Sequence, residues 1–519
     1  MSLITRFAFK ISKLLYRKSS SSFKADLAYL EKSQKQILAN LLEQSADTKY
    51  ANHIGIKQNL NYQTFKNIIP VQSYKDIEPF ILEQKKTNNN ILGGTIDRYQ
   101  PTSGSTSSRK WIPYTKEILA EFDHAIGPWL MHIFETYPKV LDGKHYWSLS
   151  WMPDELRAEM KSTDDLSYFS WTKRIFMKAC MAVPGELVKA KTTKSAQLAT
   201  IIYLVQSRDL SMISIWSPTF MLSLLNELKE NQDYIRKVLE TGNWGELQSE
   251  LQNLKAPKCH QTREILSQWN GKIDSEITKK LWPKLALVSV WDTANSKEWT
   301  KKLMANFSDV EVQGKGLFAT EAVVTIPYKS EYALAYKSHF YEFEVLETGE
   351  VIASWDLKEG MIVRPVISMG NGIWRYTLND KLIVSHFLKS CPCLKFLGRM
   401  NDIDFVGEKM SPDLASNALS KLKSKVSFEF EPVSLLGQSE STIPFYSVLI
   451  EGDNSKEERD LLAKEVEIIL SENFHYKLAR ELGQLGETKI ICHPNAIERY
   501  MNCLLGRGMM RGDIKIEPL

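Results

Sequence analysis

Several things are scarce in this sequence, and each scarcity excludes something. Six cysteines in 519 residues, at positions 180, 259, 391, 393, 492 and 503, cannot form a disulfide framework and point to a reducing compartment. Cys391 and Cys393 are the closest pair, and no second Cys/His pair stands at zinc-ribbon spacing, so no structural metal is expected. No apolar run approaches the length of a membrane span, which leaves no candidate transmembrane segment. An excess of one charge is also missing: 66 Lys and Arg face 62 Asp and Glu, a net of +4. With no basic stripe carrying interleaved aromatics, that balance argues against a nucleic-acid partner. Internal repeats and low-complexity tracts are absent apart from Ser19 to Ser22.

What is present is the composition of an ordinary soluble globular protein, 43% hydrophobic and 25% charged, long enough for two or more domains. The N-terminus departs from the average. Between Met1 and Ala25 lie Arg6, Lys10, Lys13, Arg17, Lys18 and Lys24 and no acidic residue. Leu3, Ile4, Phe7, Ile11, Leu14 and Leu15 fall among them at helical spacing. A first helix packed on the body with a basic outer face is the simplest expectation; a transit peptide or a helix in weak contact with a membrane surface are the alternatives. No secretory h-region is present, and a cytoplasmic monomer is expected.

Apolar periodicity predicts helices over 25–50, 116–137, 218–240, 260–281 and 455–472, with a loop-rich passage after residue 50. Strand signals run through 284–291, 316–326, 341–345, 361–367, 373–376, 382–385, 425–430 and 447–451. The texture changes near Gly398-Arg399-Met400. The expected fold is therefore α/β: a large mixed body over 1–398 and a small α+β lid domain over 399–519.

The most pointed stretch is Gln100 to Pro113, QPTSGSTSSRKWIP. Thr102, Ser103, Ser105, Thr106 and Ser107 surround Gly104, and Lys110 follows. Such a cluster is often only a solvated loop. It also suits an anion: glycine lets backbone approach a ligand, successive N–H groups form a concave nest, and hydroxyls and a lysine add donors. It is not a Walker P-loop, because Lys110 lies between Arg109 and Trp111.

Company decides between these readings. TSGSTSSRK resembles the phosphate-binding loop of adenylate-forming enzymes, and three further motifs follow in that superfamily's order. Ala319-Thr320-Glu321 resembles the motif whose Thr touches the nucleotide phosphate and whose Glu helps hold Mg2+. Trp374 to Asp380 resembles the motif whose terminal Asp binds both ribose hydroxyls, and Tyr376 within it is assigned to the nucleotide. Gly398-Arg399 resembles the hinge and ribose-contact motif. Within the superfamily the fit narrows to the auxin-responsive promoter (Gretchen Hagen) family of acyl-acid amido synthetases. Leu41 to Ile56, Val71 to Pro79, Lys110 to Thr115, Tyr341 to Glu344 and Arg511 to Lys515 carry that resemblance. Departures are Asn379 where Gly is usual, Phe318 near the usual Tyr, Arg109 inside the loop, and Ile-Glu-Pro after Lys515.

The resemblance implies ATP-dependent activation of a carboxylic acid and transfer of the acyl group to an amino acid, giving an amide, AMP and pyrophosphate. Lys515 would act on the bridging oxygens, and Arg399 would mark the pivot of the small domain. Phe122, Trp129 and Leu130, on the 116–137 helix, are candidate walls for the acid. An acyl-CoA ligase and a catalytically inactive nucleotide-binding relative remain the alternatives.

Overall fold

The computed structural model describes residues 3–45, 47–87, 90–101, 110–148, 180–293, 296–400, 403–439 and 443–506. The backbone divides into two compact units: 1–100 with 111–398, and 101–110 with 399–519.

The first unit is built on two sheets. Four strands, β3 (Lys144–Trp147), β4 (Leu210–Ser214), β5 (Leu287–Val290) and β6 (Glu311–Gly314), lie parallel in that order. Every residue of β4 and β5 is buried, the signature of a parallel sheet covered on both faces. Helices supply the crossovers: 193–206 between β3 and β4, four between β4 and β5, and 296–304 before β6. Pleating sorts the side chains. Tyr146, Ile213 and Val288 face a core built with the crossover helices, whereas Trp147, Met212 and Leu287 face the opposite core.

That opposite core is shared with α6 (Lys116–Thr136) and with a large antiparallel sheet. The sheet runs β10 (Val351–Ala353), β9 (Phe340–Val345), β11 (Ile362–Ser368), β13 (Asp380–Leu388), β14 (Cys391–Arg399), β8 (Glu331–Leu334), β7 (Thr325–Tyr328). A two-residue strand, β12 (Tyr376–Thr377), pairs with β11. Helix α6 forms because Ile118, Phe122, Ile126, Trp129, Leu130 and Ile133 recur at helical spacing and Thr115 caps its N-terminus through Ile118 N–H. Helix α1 (Leu3–Ala25) packs across it, burying Phe9, Tyr16 and Phe23 and leaving Phe7 and Leu14 exposed. The approach is close: a Cβ on Gly127 would stand 2.3 Å from the Ser19 hydroxyl.

The second unit pairs β15 (Glu431–Gln438), β16 (Phe445–Glu451) and β17 (Lys489–His493) against helices 412–425, 456–470 and 474–481. Among the described residues no helix is long and apolar enough to cross a membrane.

Local expectations failed in instructive places. The helix expected over 25–50 is interrupted at Tyr29 and again before Lys49. The loop-rich passage after residue 50 contains helices 62–68 and 74–87, the first capped by Asn61 and too short for periodicity to reveal. Lys425 ends a helix, residues 426–430 form no strand, and the strand begins at Glu431. The stretch 316–326 is a tight reversal, because Leu317 N–H is taken by the Thr325 hydroxyl at 2.8 Å and Val324 N–H by Leu317 C=O at 2.8 Å.

Candidate active site

The reversal after β6 presents two of the residues singled out above. Phe318 bridges Val323, and Ala319 N–H donates to Ala322 C=O at 2.8 Å, so Thr320 and Glu321 stand at the tip of a turn, half-buried. Gly316 makes the turn possible: a Cβ there would lie 1.9 Å from Thr325 C=O. Tyr114, fully buried on β2 (Trp111–Thr115), donates its hydroxyl to Thr320 C=O at 2.6 Å and anchors the tip.

The second arm is the segment Arg375 to Asp380. Arg375 has φ +45°, a conformation costly for a residue with a side chain, and its contacts hold it there. Its guanidinium forks onto the Glu342 carboxylate, and its Nη1 donates to the carbonyls of Lys66 and Ile69. Gln72 N–H donates to Arg375 C=O at 2.9 Å and Thr377 N–H to Gln72 C=O at 3.0 Å. A buried cation thus sets the entrance of β12, and the next residue, Tyr376, is fixed with its ring buried.

Tyr376 reaches the first arm, its hydroxyl 3.4 Å from Glu321 Oε1. Burial pushes its pKa far above the phenolic value, and the negative charges of Glu321 and Asp380 push the same way. Tyr74 is raised by burial as well, with Glu321 a smaller cause; its hydroxyl accepts Trp111 N–H at 2.7 Å. Asp380, 5% exposed at the start of β13, completes a neighbourhood of two carboxylates and two neutral phenols.

This neighbourhood suits a phosphorylated, hydroxyl-rich ligand. The phenols are neutral donors at any physiological pH, and Asp380 offers acceptors for vicinal hydroxyls. Among the described residues no group of three or more His, Cys, Asp or Glu side chains is arranged to hold a metal. A single carboxylate, Glu321, at a half-exposed tip still fits Mg2+, which is commonly held by one or two carboxylates and the substrate's own phosphates.

Of the other expected site residues, Thr102, Ser103, Gly104, Ser105, Thr106, Ser107 and Lys515 lie outside the described residues. Lys110 is half-buried just before β2, and Arg399 ends β14. Helix α6 divides the three candidate acyl-pocket residues. Phe122 packs against Tyr114 and His339, and Leu130 lies in the core. Trp129 turns instead to the end of the parallel sheet, where its indole N–H donates to Gln313 Oε1 at 2.8 Å. Tyr74, Tyr114 and Lys315 were not singled out from sequence. Tyr74 and Tyr114 lie inside the segments Val71–Pro79 and Lys110–Thr115 that carry the resemblance, and Lys315 stands between two glycines.

The model of the GH3 family N-terminal domain matches residues 19–312, and that of the GH3 family central domain matches 332–399. The 4-substituted benzoates-glutamate ligase GH3.12 of Arabidopsis thaliana is 21% identical over 560 aligned positions, covering 96% of this chain and 94% of that one. The indole-3-acetic acid-amido synthetase GH3.17 of Arabidopsis thaliana is 22% identical, over 76% and 73% of the two chains. The jasmonoyl-L-amino acid synthetase JAR4 of Nicotiana attenuata is also 22% identical, over 77% and 75%. Among solved structures, the GH3.15 acyl acid amido synthetase in complex with 2,4-DB superposes with a TM-score of 0.65 at 18% identity, covering 97% of this chain and 94% of that one, a likeness of fold.

Proposed function

Because the chain belongs to the GH3 family, we propose that it is an ATP-dependent ligase joining a carboxylic acid to the amino group of an amino acid. The observation that carries the reading is the convergence of Thr320, Glu321, Tyr376 and Asp380 on one neighbourhood from two arms of the first unit.

The reaction has two halves. A carboxylate oxygen of the acid attacks the α-phosphorus of ATP, the bond to the β-phosphate oxygen breaks, and pyrophosphate leaves. The amine then attacks the acyl carbon, the bond from that carbon to the phosphate-linked oxygen breaks, AMP departs and the nitrogen gives up a proton. Both partners of the first half are anions, so charge must be neutralised before they meet.

In this assignment the hydroxyls and N–H groups of residues 102–107, with Lys110, hold the phosphates, and Asp380 orients the ribose through two charge-assisted hydrogen bonds. Tyr376 contributes a neutral phenol beside the nucleotide. Mg2+, when bound by Glu321 and the phosphates, supplies positive charge to the leaving pyrophosphate. Lys515 adds charge at the oxygen bridging the α- and β-phosphates. The domains are assigned as 1–398 and 399–519, with Arg399 and Met400 as the pivot by which the smaller one changes face between the halves.

Oxygen-18 in the carboxylate of the acid tests the chemistry. One label should appear in AMP, since the attacking oxygen stays with phosphorus when the amine displaces it. Label confined to the amide and water would contradict adenylation of the acid.

A further inference from the structure

The carboxyl ends of β3 to β6 carry a group of side chains that the nucleotide chemistry does not use. Trp147, Ser214, Ser289 and Gln313 are register partners across the four strands and therefore project from the same face in one row. Lys315, two residues beyond Gln313, reaches back along that face and donates its ammonium to the Ser214 hydroxyl at 2.8 Å. Three indoles surround it, with ring centroids 4.6 Å (Trp216), 5.1 Å (Trp129) and 5.9 Å (Trp147) from Nζ. Trp129 meets Trp147 edge to face at 5.7 Å, and Phe318 lies 5.4 Å from Trp129 and 5.9 Å from Trp216.

Two polar atoms in this row have no hydrogen-bond partner among the described residues: the Trp147 indole nitrogen and the Ser289 hydroxyl, on side chains 7% and 0% exposed. Buried polar groups are nearly always satisfied by protein, water or ligand, and these two stand in one row beside Lys315. The indole nitrogen only donates, and so does an ammonium. The Trp147 N–H and the Ser289 hydroxyl suit an acceptor between flat apolar walls, and the neighbouring ammonium favours negative charge on it. Open α/β sheets bind ligands at this end of their strands. Trp216, 37% exposed, stands at the rim.

The connection to the reaction runs through Phe318. It touches Trp129 and Trp216, and it lies three residues, roughly 10 Å of extended chain at most, from Glu321. An acid whose reacting carboxylate meets the nucleotide near Glu321 would extend past Phe318, and its remote end would enter the indole cage. We propose that this cage selects a flat aromatic acid carrying a second carboxylate at the end remote from the one that reacts. Lys315, the Trp147 N–H and the Ser289 hydroxyl receive that second carboxylate. The placement of the reacting end rests on the ligase reading above; the anion site itself does not.

The test is calorimetric titration of the full chain, without ATP, using benzene-1,4-dicarboxylate and benzoate as probes. The dicarboxylate should bind at least tenfold more tightly, and Lys315→Met should bring the ratio of the two affinities close to one. Trp147→Phe, which removes the N–H together with part of the ring, should lower the ratio several-fold and decides the matter if Lys315→Met does not fold. Equal affinities in the native chain, or a ratio that both variants leave untouched, would overturn the assignment. Pyrophosphate release with the same acids separates the two readings. A tenfold binding preference with no pyrophosphate from any acid sustains the anion site and sinks the ligase; release without a preference does the reverse.

Discussion

The Arg375 guanidinium grips the Glu342 carboxylate with two nitrogens, Nε to Oε2 at 2.8 Å and Nη2 to Oε1 at 3.0 Å, both side chains being at most 4% exposed. Tyr62 adds a third donor to Glu342 at 3.2 Å. Such a pair adds little net stability against apolar residues of the same volume, but it is costly to break from one side. Here it also fixes a left-handed residue next to Tyr376, which couples the core to the nucleotide neighbourhood.

Glu342→Gln should therefore lower the stability of the first unit by about 3–5 kcal/mol, the range for stranding one partner of a buried ion pair. Urea unfolding followed by tryptophan fluorescence measures it. A loss below about 1 kcal/mol, the ordinary value of a surface pair, would show that the cation finds other partners.

Asp380→Asn should weaken ATP binding by about 1.5–3 kcal/mol, the range for a hydrogen bond to a charged group. Calorimetry with ATP and Mg2+ reads it. Unchanged affinity would make Asp380 only the first residue of a strand.

How much of this was legible beforehand differs between fold and site. The run that became β5 and the long amphipathic α6 were visible because one period dominates each of them, whereas β4, only five residues long and buried throughout, was not picked out. Helices 62–68 and 74–87 were missed because the first spans barely two turns and the second carries Pro79. The stretch 316–326 misled for a different reason. Its β-branched residues read as strand, while Gly316 and the Thr325 hydroxyl, which make the reversal, act across eight residues. Motif order singled out Glu321, Tyr376 and Asp380; Tyr74 and Tyr114 act through single hydroxyls that no spacing rule picks out.

Lys515→Ala should slow formation of the acyl-adenylate about a hundredfold or more, the scale of one lost preorganised electrostatic contact, while ATP affinity stays nearly constant. Rapid-quench measurement of the first turnover tests it. With presynthesised acyl-adenylate the variant should transfer to the amine at close to the native rate. Equal failure in both halves would make the tail structural.

The second unit carries its own pH dependence. Glu408 is buried and receives N–H donors from Phe405 and Val406 and the hydroxyl of Tyr446. Burial, reinforced by Asp404, still pushes its pKa up from 4.5 to about 7. A raised folded-state pKa means that the folded form holds the proton more tightly. The stabilisation is complete below the unfolded value near 4.5 and is lost as pH rises through about 7. Hydrogen exchange in β15 and β16 should therefore show stability falling between pH 5 and 7 by at most about 1.4 kcal/mol per unit, the slope of one proton. Glu408→Gln should flatten that slope; an unchanged slope would assign it to other groups.

The central claim is acid activation followed by amide formation, and the products decide it most directly. The full chain, ATP, Mg2+, a panel of aromatic carboxylic acids and the common amino acids should yield pyrophosphate, AMP and an acid–amino acid amide, identified by mass. Amide and AMP should appear in equal amounts, and replacing amino acids by coenzyme A should give no thioester. Thioester formation without amide, or ATP consumed to ADP and phosphate, would contradict the account.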